Sequence, residues 1–133
     1  MSVSMSLPAL TTLVAVLLYL VTSINVATAR GKYKIEAPAI AGNADFERVF
    51  RVQMNTLEQL VAFLPALWLF ALYVNPAWSS VLGAVWIAGR ALYAVGYARS
   101  APARSKGFVI AFSALAVLWL GAMWGVVASL LRA

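Results

Sequence analysis

The stretch FERVFRVQMNTLEQLVAFL, residues 46–64, opens as a charged helix and closes as an apolar one. Glu47, Arg48, Arg51, Gln53, Asn55, Glu58 and Gln59 crowd its first turns, and the chain then runs through VAFLPALWLFALYV without a charge. A helix that carries arginine, asparagine and glutamate toward a membrane either anchors its end with them or binds something.

Composition places the rest of the chain in the bilayer. Of 133 residues, 64% are hydrophobic, well above the roughly 45–50% usual in soluble domains. Four windows satisfy the span length of about 20 apolar residues: Leu7 to Ala29, the later part of 46–74, Ala77 to Ala98, and Gly107 to Leu131. Helices are expected at about 7–29, 45–74, 76–99 and 105–131, forming one domain over 1–133. The fold class is an all-α membrane protein, a four-transmembrane-helix bundle. The first window competes with a signal peptide because ATA at 27–29 resembles a cleavage site. No Lys or Arg precedes its apolar run, and the run is too long for a signal-peptide core, so a permanent helix is expected.

The formal net charge is +6, and its placement matters more than its size. Arg30, Lys32 and Lys34 lie in the first connection and Arg99, Arg104 and Lys106 around the third; VNPAWSS, the second, has none. The positive-inside rule puts both basic loops on the cytoplasmic side. That accounts for the charge without any nucleic acid. A multi-pass protein of a bacterial inner membrane is the expected setting. With Cys 0 and His 0, there is no disulfide, no protein thiol nucleophile, no Cys/His metal site and no Ser-His-Asp triad. Any sulfur chemistry must use the sulfur of a bound molecule.

Local signals divide the helices. Pro8 suits a first helical turn, and Asp45 is read as the N-cap of the second helix. Pro65 falls inside that helix and is expected to bend it. Asn75-Pro76 makes so short a connection that the second and third helices must be antiparallel neighbours. Thr22, Ser23 and Asn25 are read as interhelical hydrogen-bonding groups. The five tryptophans are read as core or interface residues.

At 100° per residue, Arg51, Asn55 and Glu58 share one helical face, as do Arg90, Tyr93 and Tyr97 on the third helix. The bland alternatives are a buried Arg51–Glu58 ion pair that fixes register, and tyrosines that anchor a membrane interface. Gln53 does not fit a single site, because it lies about 200° around the helix from Arg51. Only a site between subunits uses both faces.

FERVFRVQMNTLEQLVAFLPALW closely resembles the MAPEG family, the membrane-associated proteins of eicosanoid and glutathione metabolism. YAVGYARSAPAR at 93–104 resembles the third-helix motif of its leukotriene-forming synthases and microsomal glutathione transferases. The resemblance runs in register from Arg30 through Arg104. It implies a homotrimer with glutathione, the co-substrate, between neighbouring subunits, and no metal. By resemblance, Arg51, Asn55, Glu58, Tyr93, Tyr97 and Arg104 of one subunit and Arg30 and Gln53 of the next hold glutathione. Arg104 would keep the thiol as thiolate, Arg51 and Arg30 would engage carboxylates, and Glu58 the ammonium group.

Two departures stand out: Gln59 occupies the place of a tyrosine in the leukotriene synthases, and Gly31 the place of a second arginine. They imply a lipophilic electrophile or lipid hydroperoxide, reached from membrane lipid, rather than a leukotriene. A non-catalytic lipid-binding scaffold and a small proton-coupled exporter are the rival readings. The exporter expects a lone membrane carboxylate, whereas Arg51 shares the face of Glu58.

Overall fold

The structure, a computed structural model, describes residues 3–133. Its helices are α1 (Val3–Tyr33), α2 (Ala44–Tyr73), α3 (Pro76–Arg99) and α4 (Ser105–Arg132), with a 3-10 turn over Ala101–Arg104 before the last. All four are long and apolar enough to cross a membrane.

The ends are set by local chemistry. Asn43, not Asp45, caps α2: its backbone is extended and its side-chain oxygen accepts the Phe46 amide at 3.0 Å. Asp45 instead sits in the first turn, where its charge complements the helix dipole, and it pairs with Arg48. Asn75 repeats the capping arrangement for α3, accepting from the Trp78 amide at 2.9 Å, with Pro76 at the first helical position. Pro8 lies inside α1, which continues past Arg30 to Tyr33. Between α1 and α2, Lys34 and Gly42 take positive φ of 57° and 125°; at Gly42 a side chain would be strained. Through Pro65, α2 continues unbroken.

The core lies between α2, α3 and α4, with Phe63 stacked on Trp86 at 4.0 Å and Leu67 and Leu118 fully covered. Close approach of α3 and α4 depends on two glycines. A Cβ on Gly89 would lie 2.6 Å from the Ala111 amide nitrogen, and one on Gly107 would meet the Tyr93 backbone and, at 2.6 Å, the Gly89 carbonyl. Polar cross-links tie the remaining helices. Trp68 donates to Thr12 at 2.9 Å, Ser79 to the Leu67 carbonyl at 2.6 Å, and Gln53 to Ser23 at 3.0 Å. Of the three groups expected to bond between helices, Ser23 does so. Thr22 donates within its own helix to the Tyr19 carbonyl.

The outer surface is apolar: Leu13 is 69% and Leu120 61% exposed. Large aliphatic side chains facing outward on every long helix match a hydrocarbon surround rather than water.

Candidate functional site

The site grows from the third helix outward. Arg90, Tyr93 and Tyr97 recur on one face, and the geometry makes them a stack. The Arg90 guanidinium lies 3.9 Å from the Tyr93 ring centre, Tyr93 meets Tyr97 edge-to-face at 5.4 Å, and Arg104 lies 5.2 Å from the Tyr97 ring centre. The 3-10 turn after α3 brings Arg104 back over Tyr97, and Arg104 donates to the Ala101 carbonyl at 2.8 Å. Burial decreases along the stack: Arg90 and Tyr93 are covered, Tyr97 is half-buried and Arg104 exposed.

Helix α2 supplies the facing groups. Asn55 donates to the Tyr93 hydroxyl at 2.6 Å, which leaves the O–H of Tyr93 as a donor. Arg51 is exposed and shares with Tyr97 a cavity of about 490 Å³, further lined by Glu47, Arg48, Phe50 and Ala101. Glu47 accepts from the Gly42 amide, and Arg48 pairs with Asp45. Arg51 has no ion pair among the described residues.

Glu58 is exposed on the same helix and forms no salt bridge with Arg51. A buried Arg51–Glu58 pair is therefore absent among the described residues. Arg30 stands apart from the cavity. It donates to the carbonyls of Ile35 and Ala39 at 3.2 and 2.7 Å and lies 5.1 Å from the Phe46 ring centre, so within its own subunit it pins the first loop. Gln53 faces α1 through Ser23. The structure thus gathers Arg51, Asn55, Tyr93, Tyr97 and Arg104 at one end of the bundle, with Glu58 further along α2, and leaves Arg30 and Gln53 on other surfaces.

Arg90 belongs to the site as well. It is 1% exposed, donates to Thr56 at 2.8 Å, and its Nε has no partner. An arginine within the apolar length of a membrane helix was itself the signal. Gln59 turns into the core, accepting from the Trp86 indole at 3.0 Å.

A basic end, a buried arginine beneath two tyrosines and an asparagine across from them form a recognisable constellation. Residues 8–124 match the MAPEG family. The chain belongs to the MAPEG family.

It is 54% identical over 116 residues to an uncharacterized protein of Synechocystis sp., covering 87% of this chain and 85% of that one. It is 40% identical over 109 residues to microsomal glutathione S-transferase 2 of Homo sapiens, covering 82% and 74%. To leukotriene C4 synthase of Cavia porcellus it is 35% identical over 128 residues, covering 96% and 85%. Membership in MAPEG and the four long apolar helices make this an integral multi-pass membrane protein.

Among the described residues, no group of His, Cys, Asp and Glu is assembled that could hold a metal ion. The chemical resources of this MAPEG site are cations, phenols and a carboxamide, all suited to holding an anion.

Proposed function

We propose that the protein is an integral-membrane glutathione transferase, assembled as a homotrimer. In this reading it presents the glutathione thiolate to lipophilic electrophiles and also reduces lipid hydroperoxides. The observation that carries the reading is the stack from Arg90 through Tyr93 and Tyr97 to Arg104, beside the exposed Arg51. Relatives named as a glutathione transferase and a leukotriene C4 synthase support it.

Charge matching favours the reactive form of the tripeptide. With its carboxylates and amine ionised, glutathione carries about −1, and as thiolate about −2. Arg30, Arg51 and Arg104 set against Glu58 leave a surplus of two positive charges. A free thiol of pKa about 8.5 is only a few per cent ionised near neutrality. Lowering that by about two units multiplies the anion roughly tenfold or more at pH 7.

Arg104 is exposed in the single chain, and a cation in open water is strongly screened. A neighbouring subunit over this end would exclude water and strengthen it. The same neighbour would bring the otherwise distant Arg30 and Gln53. In the resulting site Arg51 and Arg30 take carboxylates, Glu58 the ammonium, Asn55 and Tyr93 backbone groups, and Arg104 the sulfur.

With an aryl halide, the sulfur lone pair forms the S–C bond and the halide leaves. With a hydroperoxide, sulfur attacks the terminal oxygen, the O–O bond breaks, and the alcohol departs. A second glutathione then completes reduction, giving the disulfide and water. The basic loops face the cytoplasm of a bacterial inner membrane, where glutathione is available.

Purified protein in detergent should conjugate a chromogenic aryl halide and show the ultraviolet absorbance of bound thiolate when mixed with glutathione at neutral pH. Calorimetry that detects no glutathione binding would favour the lipid-binding scaffold instead.

A further inference from the structure

Between α1, α2 and α3 lies a second cavity of about 500 Å³. Its mouth carries Lys32 from the last turn of α1 and Arg99 from the last turn of α3, and no acidic residue lines it. Ala94 and Ala98, one turn apart on α3, keep one wall low, and Val52 of α2 forms part of its floor.

Asn25 also lines it, two turns below Lys32 on the same face of α1. Asn25 is exposed and has no hydrogen-bond partner among the described residues. An unsatisfied carboxamide at membrane depth is unfavourable, and the groups that could satisfy it must come from outside this subunit.

We propose that this crevice is a binding site for an anionic phospholipid, with the phosphate between Lys32 and Arg99 and one acyl chain along Ala94, Ala98 and Val52. Asn25 lies about 10 Å below Lys32 along the helix, deeper than the roughly 5–8 Å polar zone of a leaflet, so an ester carbonyl meets the Asn25 amide when the flexible Lys32 side chain reaches down to the phosphate. Two cations without an acid select a net-negative headgroup over a zwitterionic one, since each basic residue near a membrane surface adds attraction to anionic lipid. The site is separate from the glutathione reading and stands or falls independently of it.

Native mass spectrometry of the full chain from micelles with equal phosphatidylglycerol and phosphatidylcholine tests it. Phosphatidylglycerol should be retained roughly tenfold or more over phosphatidylcholine. Lys32→Gln with Arg99→Gln should bring the two lipids to parity, and Arg132→Gln at the other end of the bundle should change nothing. Equal retention by the unmodified protein, or a preference that survives the double substitution, overturns the proposal.

Displacement of the lipid by millimolar inorganic phosphate would also overturn it, since the ligand would then be free phosphate. A water-soluble acylating reagent should modify Lys32 in lipid-free protein and spare it when phosphatidylglycerol is bound. Protection in both states would mean that a second copy covers the crevice, and would equally overturn the proposal.

Discussion

The guanidinium of Arg90 lies 3.9 Å from the centre of the Tyr93 ring, and the two side chains are 1% and 2% exposed. Among the described residues no carboxylate pairs with this buried cation: its hydrogen-bonded partner is the Thr56 hydroxyl, and its Nε is unpaired. Desolvating an ion costs several kcal/mol. A cation–π contact returns about 2 and a charge-assisted hydrogen bond about 1.5–3. The fold therefore gains little from the charge, whose closest contact is the Tyr93 ring.

Arg90→Met separates the two roles. It keeps length and volume while removing the buried charge, so thermal stability in detergent should be unchanged or higher by up to about 2 kcal/mol. Tyr93 and Asn55 should be less well fixed, and the KM for glutathione should rise roughly tenfold. A marked fall in melting temperature would show instead that the guanidinium supports the fold.

Arg104→Ala addresses the thiolate directly. The free thiol has pKa about 8.5; in the proposed mechanism binding beside Arg104 lowers it, so that the reactive anion is present above the bound pKa and is lost as pH falls through it. Without Arg104 the rising limb of the pH–rate profile should move toward the free-thiol value, by about two units. Conjugation near neutrality should fall roughly tenfold or more and recover in alkaline buffer. An unchanged profile would remove Arg104 from this role.

Gln59→Leu tests which way that side chain works. Since its oxygen accepts from the buried Trp86 indole, the substitution leaves a buried donor without a partner and should destabilise by about 1–3 kcal/mol. Its effect on glutathione KM should stay within about twofold, because the Gln59 oxygen is already engaged by the indole. A large KM effect with normal stability would place Gln59 in the glutathione site.

Gly107→Ala and Gly31→Ala form a contrasting pair. A methyl on Gly107 meets the backbone of Tyr93 and Gly89, whereas nothing lies within 4 Å of one on Gly31. The first should cost about 1–3 kcal/mol, or prevent folding if the helices cannot part. The second should be neutral or stabilise by up to about 1 kcal/mol, through the helix preference for alanine. Denaturation followed by tryptophan fluorescence compares them.

Much of this was legible in the chain itself. Apolar windows of bilayer length required four helices, and the short Asn75-Pro76 connection required α2 and α3 to be neighbours. The faces shared by Arg51 and Asn55, and by Tyr93 and Tyr97, followed from helical spacing alone. Three features did not. The N-cap of α2 moved from Asp45 to Asn43 because both residues are good caps, and the extended backbone at Asn43 decided between them.

The weight of Arg90 was also hidden. Periodicity places it beside Tyr93 but cannot say that Thr56 and an aromatic face, rather than a carboxylate, surround it. Nor can spacing show that Arg30 folds back onto its own loop.

Pro65 carries a mechanical implication. Lacking an amide hydrogen, it leaves the Val61 carbonyl without its intrahelical donor; Val61 is 73% exposed, and an apolar cavity of about 390 Å³ between α2 and α4 runs past both residues. One backbone hydrogen bond fewer holds the helix at that turn. Both sides of that point are held to α3, by Asn55 with Tyr93 and Arg90 with Thr56 before the proline and by Ser79 donating to the Leu67 carbonyl after it, so any flexing at Pro65 is shared with α3.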